Sequence, residues 1–110
     1  MTYDEQLARR VREILADESG LSERKMFGGL GFMLDGNMAV AAGSGGGLMI
    51  RADPSDPDGL IDGDLIVPME MGGREMTGWL LADQRAITSD ERLRELVQLG
   101  IDRARSFPPK

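Results

Sequence analysis

The sequence contains no cysteine and no histidine. Without cysteine there is neither a disulfide framework nor a thiolate metal site. Losing histidine as well removes the usual ligand sets for zinc, copper and non-haem iron, and every Ser-His or Cys-His nucleophile pair. Aromatics are scarce, with one Trp, one Tyr and three Phe. No apolar run approaches the length of a membrane span, and the N-terminus opens Met1-Thr2-Tyr3-Asp4-Glu5, acidic where a signal peptide would be basic. These features give the expectation of a cytoplasmic protein with no membrane partner, no metal and no cofactor. At 110 residues the chain fits one domain, residues 1–110. Nineteen acidic against thirteen basic side chains leave a net charge of -6, which argues against non-specific nucleic-acid binding.

Apolar residues Tyr3, Leu7, Val11, Ile14 and Leu15 recur at helical spacing, so residues 3–15 read as an amphipathic helix, with Ser19-Gly20 as a glycine C-cap. Arg9, Arg10 and Arg12 lie largely off the stripe, where Glu5-Arg9 and Arg9-Glu13 spacing suits surface pairing. Further on, Leu30, Phe32 and Leu34 alternate, Asp35-Gly36 reads as a tight hairpin turn, and Met38 and Val40 follow. A turn at Gly43-Ser44-Gly45-Gly46-Gly47 then leads to Leu48-Met49-Ile50-Arg51. The result is a three-stranded meander with Phe32, Leu34, Met38, Val40, Leu48 and Ile50 facing inward.

Residues 53–64 are acidic and turn-rich, a surface connection with at most one helical turn from Asp58 to Ile61. A second hairpin is expected from Leu65–Met71 and Glu75–Ala82 around Gly72-Gly73. Within it Trp79 reads as a core plug in preference to the alternative of an interface anchor, and Gly78 as making room for a bulky neighbour. Thr88 and Glu91 read as a capping box opening a final helix with Leu93, Leu96, Val97, Ile101 and Ala104 on one face. Strands run together between two helices, which gives an α+β fold: a two-layer sandwich whose antiparallel sheet of about five strands is flanked by an N-terminal and a C-terminal helix.

Candidate chemistry is sparse. Asp56, Asp58 and Gly59 fall at EF-hand positions three, five and six, but Pro54 and Leu65 stand where the first and last oxygen ligands are required, so a solvated loop is preferred. The glycine run Gly43–Gly47 precedes a strand rather than a helix and has no Lys-Ser/Thr pair, so it reads as a turn and not as a phosphate loop. For acid-base work the carboxylates that could be buried are Glu70 and Glu75, on opposite arms of the second hairpin, where their proximity depends on register, and no supporting constellation accompanies them. Catalysis is therefore a minority reading. Eight methionines, several in strands, could fill an irregular core or form an adaptable contact surface.

Two signatures stand out: Lys25-Met26-Phe27-Gly28-Gly29-Leu30-Gly31-Phe32 running into Asp35-Gly36-Asn37-Met38, and Pro68-Met69 followed by Gly73-Arg74-Glu75-Met76-Thr77-Gly78-Trp79. In this order after an amphipathic helix they resemble the TfoX/Sxy family, specifically its N-terminal domain. The best-known members regulate natural competence in bacteria. The resemblance implies a secretion-chaperone-like two-layer fold and supplies no catalytic residues. Full-length regulators carry a further C-terminal helical domain, so a stand-alone N-terminal domain without direct transcriptional control is expected. Met71 stands where an aromatic residue is common. The candidate interaction residues are Lys25, Met26, Phe27, Gly28, Gly29, Arg74 and Trp79.

The functional expectation is a small protein-interaction domain with an unidentified protein partner or a second copy of itself. Two alternatives stand beside it. One is a small-molecule-binding protein or enzyme; the other is a nucleic-acid binder through Arg9, Arg10, Arg12, Arg103 and Arg105 on the terminal helices.

Overall fold

The computed structural model describes residues 4–26, 28–43, 45–55, 59–71 and 73–109, with backbone only for Met26 and Met71. Readings that rest on Tyr3, Phe27, Ser44, Asp56, Pro57, Asp58 or Gly72 lie outside the described residues.

The first helix, α1, spans Glu5–Leu15. Asp4 starts it, its carboxylate accepting from the backbone N–H groups of Gln6 at 2.9 Å and Leu7 at 3.1 Å. Leu7, Ala8, Val11 and Leu15 form its buried face. The expected glycine C-cap is not used: the helix stops at Ala16 in ordinary helical geometry, and Glu18 N–H donates to Leu15 O. Gly20, at φ +73°, instead starts the next strand, where its carbonyl accepts from Asp35 N–H at 3.0 Å. A side chain at this position would overlap the Asp35 carboxylate.

Six strands follow: β1 Leu21–Met26, β2 Gly29–Leu34, β3 Asn37–Ala42, β4 Leu48–Arg51, β5 Ile66–Met71 and β6 Arg74–Ala82. All pair antiparallel in the order β1-β2-β3-β4-β6-β5. The sheet thus has one strand more than expected, because β1, with sequence Leu-Ser-Glu-Arg-Lys-Met, has no apolar alternation. It is an edge strand, and edges tolerate charged side chains that discourage further pairing. Asp35 and Gly36, with φ of 52° and 86°, close the β2-β3 hairpin in the geometry expected for Asp-Gly. The glycine turn Gly43–Gly47 closes β3-β4, with Gly43 N–H donating to Gly47 O at 2.9 Å.

A bulge changes one expected facing. Phe32 pairs with Val40 but Met33 pairs with Met38, so Ala39 is an extra residue in β3. Ala39 and Val40 are both fully buried, and Met38 turns to the opposite face beside Met33, contrary to the inward position expected for it. Gly78, also read differently from sequence, is at φ +85° in an irregular stretch of β6 where its carbonyl accepts from Ala52 N–H at 2.8 Å. The glycine serves backbone conformation there, and not space for a neighbour.

After a 3-10 turn at Gln84–Ile87, the second helix, α2, spans Asp90–Arg105. Its N-cap is Ser89 and not Thr88: Ser89 has the extended backbone a cap requires, and its hydroxyl accepts from Arg92 N–H at 3.2 Å. Thr88 has helical backbone angles, as the C-cap residue that follows the 3-10 turn. Leu93, Leu96, Val97, Gly100, Ile101 and Ala104 are buried.

Both helices lie on one face of the sheet. There α2 packs across β3 and β4, with Gly100 against Ala39 and Val40. Beside it, α1 is tied by Arg10 to Asp90 at 3.1 Å and by Arg12 to Glu23 of β1 at 2.7 Å. The core between the layers contains Leu30, Phe32 and Leu34 of β2, Leu48 and Ile50 of β4, and Ile66 of β5. Leu60, from the acidic connection, packs against the same core. The chain is therefore an α+β two-layer sandwich.

Candidate interaction site

Strand register assigns the opposite face of the sheet. Arg24, Gly31, Ala41, Met49, Leu81 and Val67 are successive partners across all six strands and form one row. One step along, Ser22, Met33 and Met38 align on β1, β2 and β3, and Arg51 pairs with Trp79 on β4 and β6. Met33, Met38, Met49, Leu81, Val67 and Trp79 are half-buried. No helix among the described residues lies over them. Large apolar side chains laid side by side shield one another laterally, which leaves a continuous surface of unbranched methionines beside Leu, Val and Trp.

At one end of this face Arg51 stacks on Trp79, its guanidinium 5.3 Å from the ring centroid, and on Phe107 at 4.5 Å. Arg103 also lies over Phe107, at 5.0 Å, and its buried Nε has no hydrogen-bond partner. The ring contacts, with the 3.0 Å bond from Asn37 side-chain N–H to Pro108 O, hold the segment after α2 against the sheet.

The residues nominated from sequence do not come together. Lys25 is exposed at the end of β1, Gly28 is in the turn at φ +75°, Gly29 begins β2, and the side chains of Met26 and Phe27 lie outside the described residues. Arg74 is exposed at the start of β6. Lys25 shares its cross-strand row with Ala82, the far end of β6 from Arg74, so strand spacing and rise put the two basic groups more than about 20 Å apart. Trp79, by contrast, stands on the methionine face.

The terminal-helix arginines are largely committed within the chain. Arg10 donates to Asp90 and to Ile87 O at 2.7 Å, Arg12 makes a two-pronged pair with Glu23, and Arg105 bridges Glu18 at 3.1 Å, Asp35 at 3.0 Å and Ser19 O at 3.0 Å. The Arg12 hydrogen bond holds the Glu23 carboxyl below its ordinary pKa, against a smaller opposing effect of burial.

Glu70 and Glu75 are directly opposite and both exposed, with like charges facing across the β5-β6 hairpin. A cleft of about 160 Å³ beside Trp79 is lined by Ala52, Asp53, Pro68 and Glu75. The Asp53 carboxylate there accepts from Ser55 hydroxyl at 2.7 Å and N–H at 2.9 Å, which lowers its pKa. No group of three His, Cys, Asp or Glu residues arranged to hold a metal ion occurs among the described residues. Nor is any described helix long and apolar enough to cross a membrane.

An antiparallel sheet with both helices on one side, carrying the two Met-Gly signatures, is the framework in which family comparison becomes informative. The family model for the TfoX N-terminal domain matches residues 13–104, nearly the whole chain, and the chain belongs to that family. Searches of curated proteins and of solved structures find no match.

Proposed function

We propose that this chain is a cytoplasmic protein-interaction domain, of the kind found in competence regulators, and that it contacts its partner through the helix-free face of the sheet. The observation that carries the reading is the apolar row Ala41, Met49, Leu81 and Val67, with Met33, Met38 and Trp79 beside it and no helix among the described residues over it. A sheet face buried on one side only normally alternates apolar with polar residues. Here the positions that should be polar are methionine, leucine and valine. Methionine suits a contact surface that must adapt, since its unbranched thioether repacks at small cost.

The test is affinity capture from the host lysate with the wild-type protein beside Met49→Glu, Lys25→Ala and Arg74→Ala. Arg94→Glu, an exposed change on α2, serves as the control. Loss of a specific protein in Met49→Glu alone is expected. Retention in Met49→Glu with loss in Lys25→Ala or Arg74→Ala would move the site to the corners of the sheet. Recovery of only the chain itself would make a homo-oligomer the working assignment.

A further inference from the structure

The charge on the methionine face differs from that of the chain as a whole. With 19 acidic and 13 basic side chains the protein is acidic, and its connection 53–64 and both helices carry carboxylates. Yet among the described residues that register places on this face from β1 to β4, with Trp79, Leu81 and Val67 beside them, the charged side chains are Arg24 and Arg51, both cationic, and none is a carboxylate. Glu70, Arg74 and Glu75 lie past the register shift at the far end of the β5-β6 hairpin. Neither Arg24 nor Arg51 makes an ion pair with any described residue of the chain. Arg51 is moreover pre-positioned. Its guanidinium lies over the rings of Trp79 and Phe107, 5.3 Å and 4.5 Å from their centroids, and an arginine restrained in this way can present its fork of N–H donors to a carboxylate.

We infer that the face docks an acidic amphipathic segment of another protein, one whose apolar side chains lie over Met33, Met38, Met49 and Leu81 and whose carboxylates reach Arg24 and Arg51. This rests on the interaction-domain reading above and narrows it to a partner chemistry. Three strand spacings and one two-residue step separate the arginines, about 16 Å. That is about three turns of an α-helix, so a single helical segment can meet both with carboxylates near its two ends. A second copy of this chain fits the face poorly. Face-to-face stacking over β1 to β4 would bring two more arginines and no carboxylate to that surface, between chains that each carry a charge of -6.

The test uses the full chain with ¹³C-methyl methionines and two synthetic peptides. Both carry leucines on one helical face; one has flanking glutamates about three turns apart, the other lysines at the same positions. The expected result is movement of the Met33, Met38 and Met49 methyl signals with the glutamate peptide, at an affinity about tenfold above the lysine peptide in low salt. Added salt should narrow that preference, and the exposed substitution Arg24→Glu should reduce it to about threefold or less.

Equal shifts with both peptides would overturn the acidic-partner inference and leave the apolar docking face standing. If neither peptide moves these methyls at about millimolar concentration, the weakest binding the assay registers, docking on this face is overturned. The lysate capture then decides separately whether the interaction-domain reading survives elsewhere on the molecule. Methyl shifts that change on dilution without peptide would identify a second copy as the occupant and overturn the inference.

Discussion

At Gly100 α2 presses tightly against the sheet, and replacing it with alanine opposes two effects of known sign. A Cβ built there would be 2.5 Å from the Ala39 carbonyl oxygen and 2.7 Å from Val40 Cγ1, against an ordinary contact of 3.4 Å or more. The helix must therefore withdraw by nearly an ångström along its buried face. Alanine contributes about 1 kcal/mol of helix propensity relative to glycine. Overpacking a close-packed interface typically costs about 1–3 kcal/mol, and the nearest obstacle here is backbone, which cannot rotate aside. The net expectation is a loss of about 1–2 kcal/mol, a fall in melting temperature of about 4–10 °C for a domain of this size. Urea unfolding followed by Trp79 fluorescence and by far-UV circular dichroism should show a lower midpoint with an unchanged slope. Val40→Ala in the same chain should fail to restore stability, because it removes the side-chain contact and leaves the carbonyl. A Gly100→Ala protein as stable as the wild type, or more so, would refute the close approach.

Three other perturbations have defined outcomes. Asn37→Ala removes the donor to Pro108 O from a buried site and should cost about 1–2 kcal/mol, with faster hydrogen exchange confined to residues after α2. Arg105→Ala cuts the ties from α2 to Glu18, Ser19 and Asp35; a loss of about 1 kcal/mol, smaller in high salt, is expected from thermal melts at two ionic strengths. The Glu23 carboxyl, held by Arg12, has a folded pKa below its ordinary 4.5, so it contributes stability that is fully present above that value and is lost as pH falls through the folded pKa. Arg12→Ala should flatten the fall in stability below pH 4.5, and an identical acid-unfolding slope in the variant would show that the pair contributes nothing.

The parts of the fold legible in the sequence are those where one local rule decides. Leu30, Phe32 and Leu34 alternate, Asp35-Gly36 can adopt positive φ, and the α1 stripe repeats every three to four residues; all three appear as expected. Elsewhere the deciding interaction lies outside the segment. Edge strand β1 pairs through its backbone and keeps charged side chains in solvent, so nothing in Ser22-Glu23-Arg24-Lys25 announces a strand. Similarly, the Ala39 bulge lies where α2 approaches the sheet at Gly100, and the extra residue moves Met38 from the core to the outer face.

The same holds for the site. Composition leaves the methionines as either core filling or a contact surface, and which of them share a face depends on register. The two family signatures were read as one surface, and the strand order sets Lys25 and Arg74 near opposite corners. Thr88 with Glu91 has the better capping-box spacing, but the helical backbone of Thr88 after the 3-10 turn leaves Ser89 as the cap.

Strand order also bears on how the chain reaches this state. Strands β1 to β4 form by successive short turns, each pairing with its predecessor. β4, however, pairs next with β6, so this pairing can form only by closing the loop that contains the acidic connection 52–65 and β5. Non-local closure of this kind is slow compared with local turns. During the delay β4 is itself a free edge, with Leu48 and Ile50 uncovered on that side and Met49 on the other. The folding chain is therefore most vulnerable to pairing with a neighbour after its fourth strand has formed and before its sixth arrives.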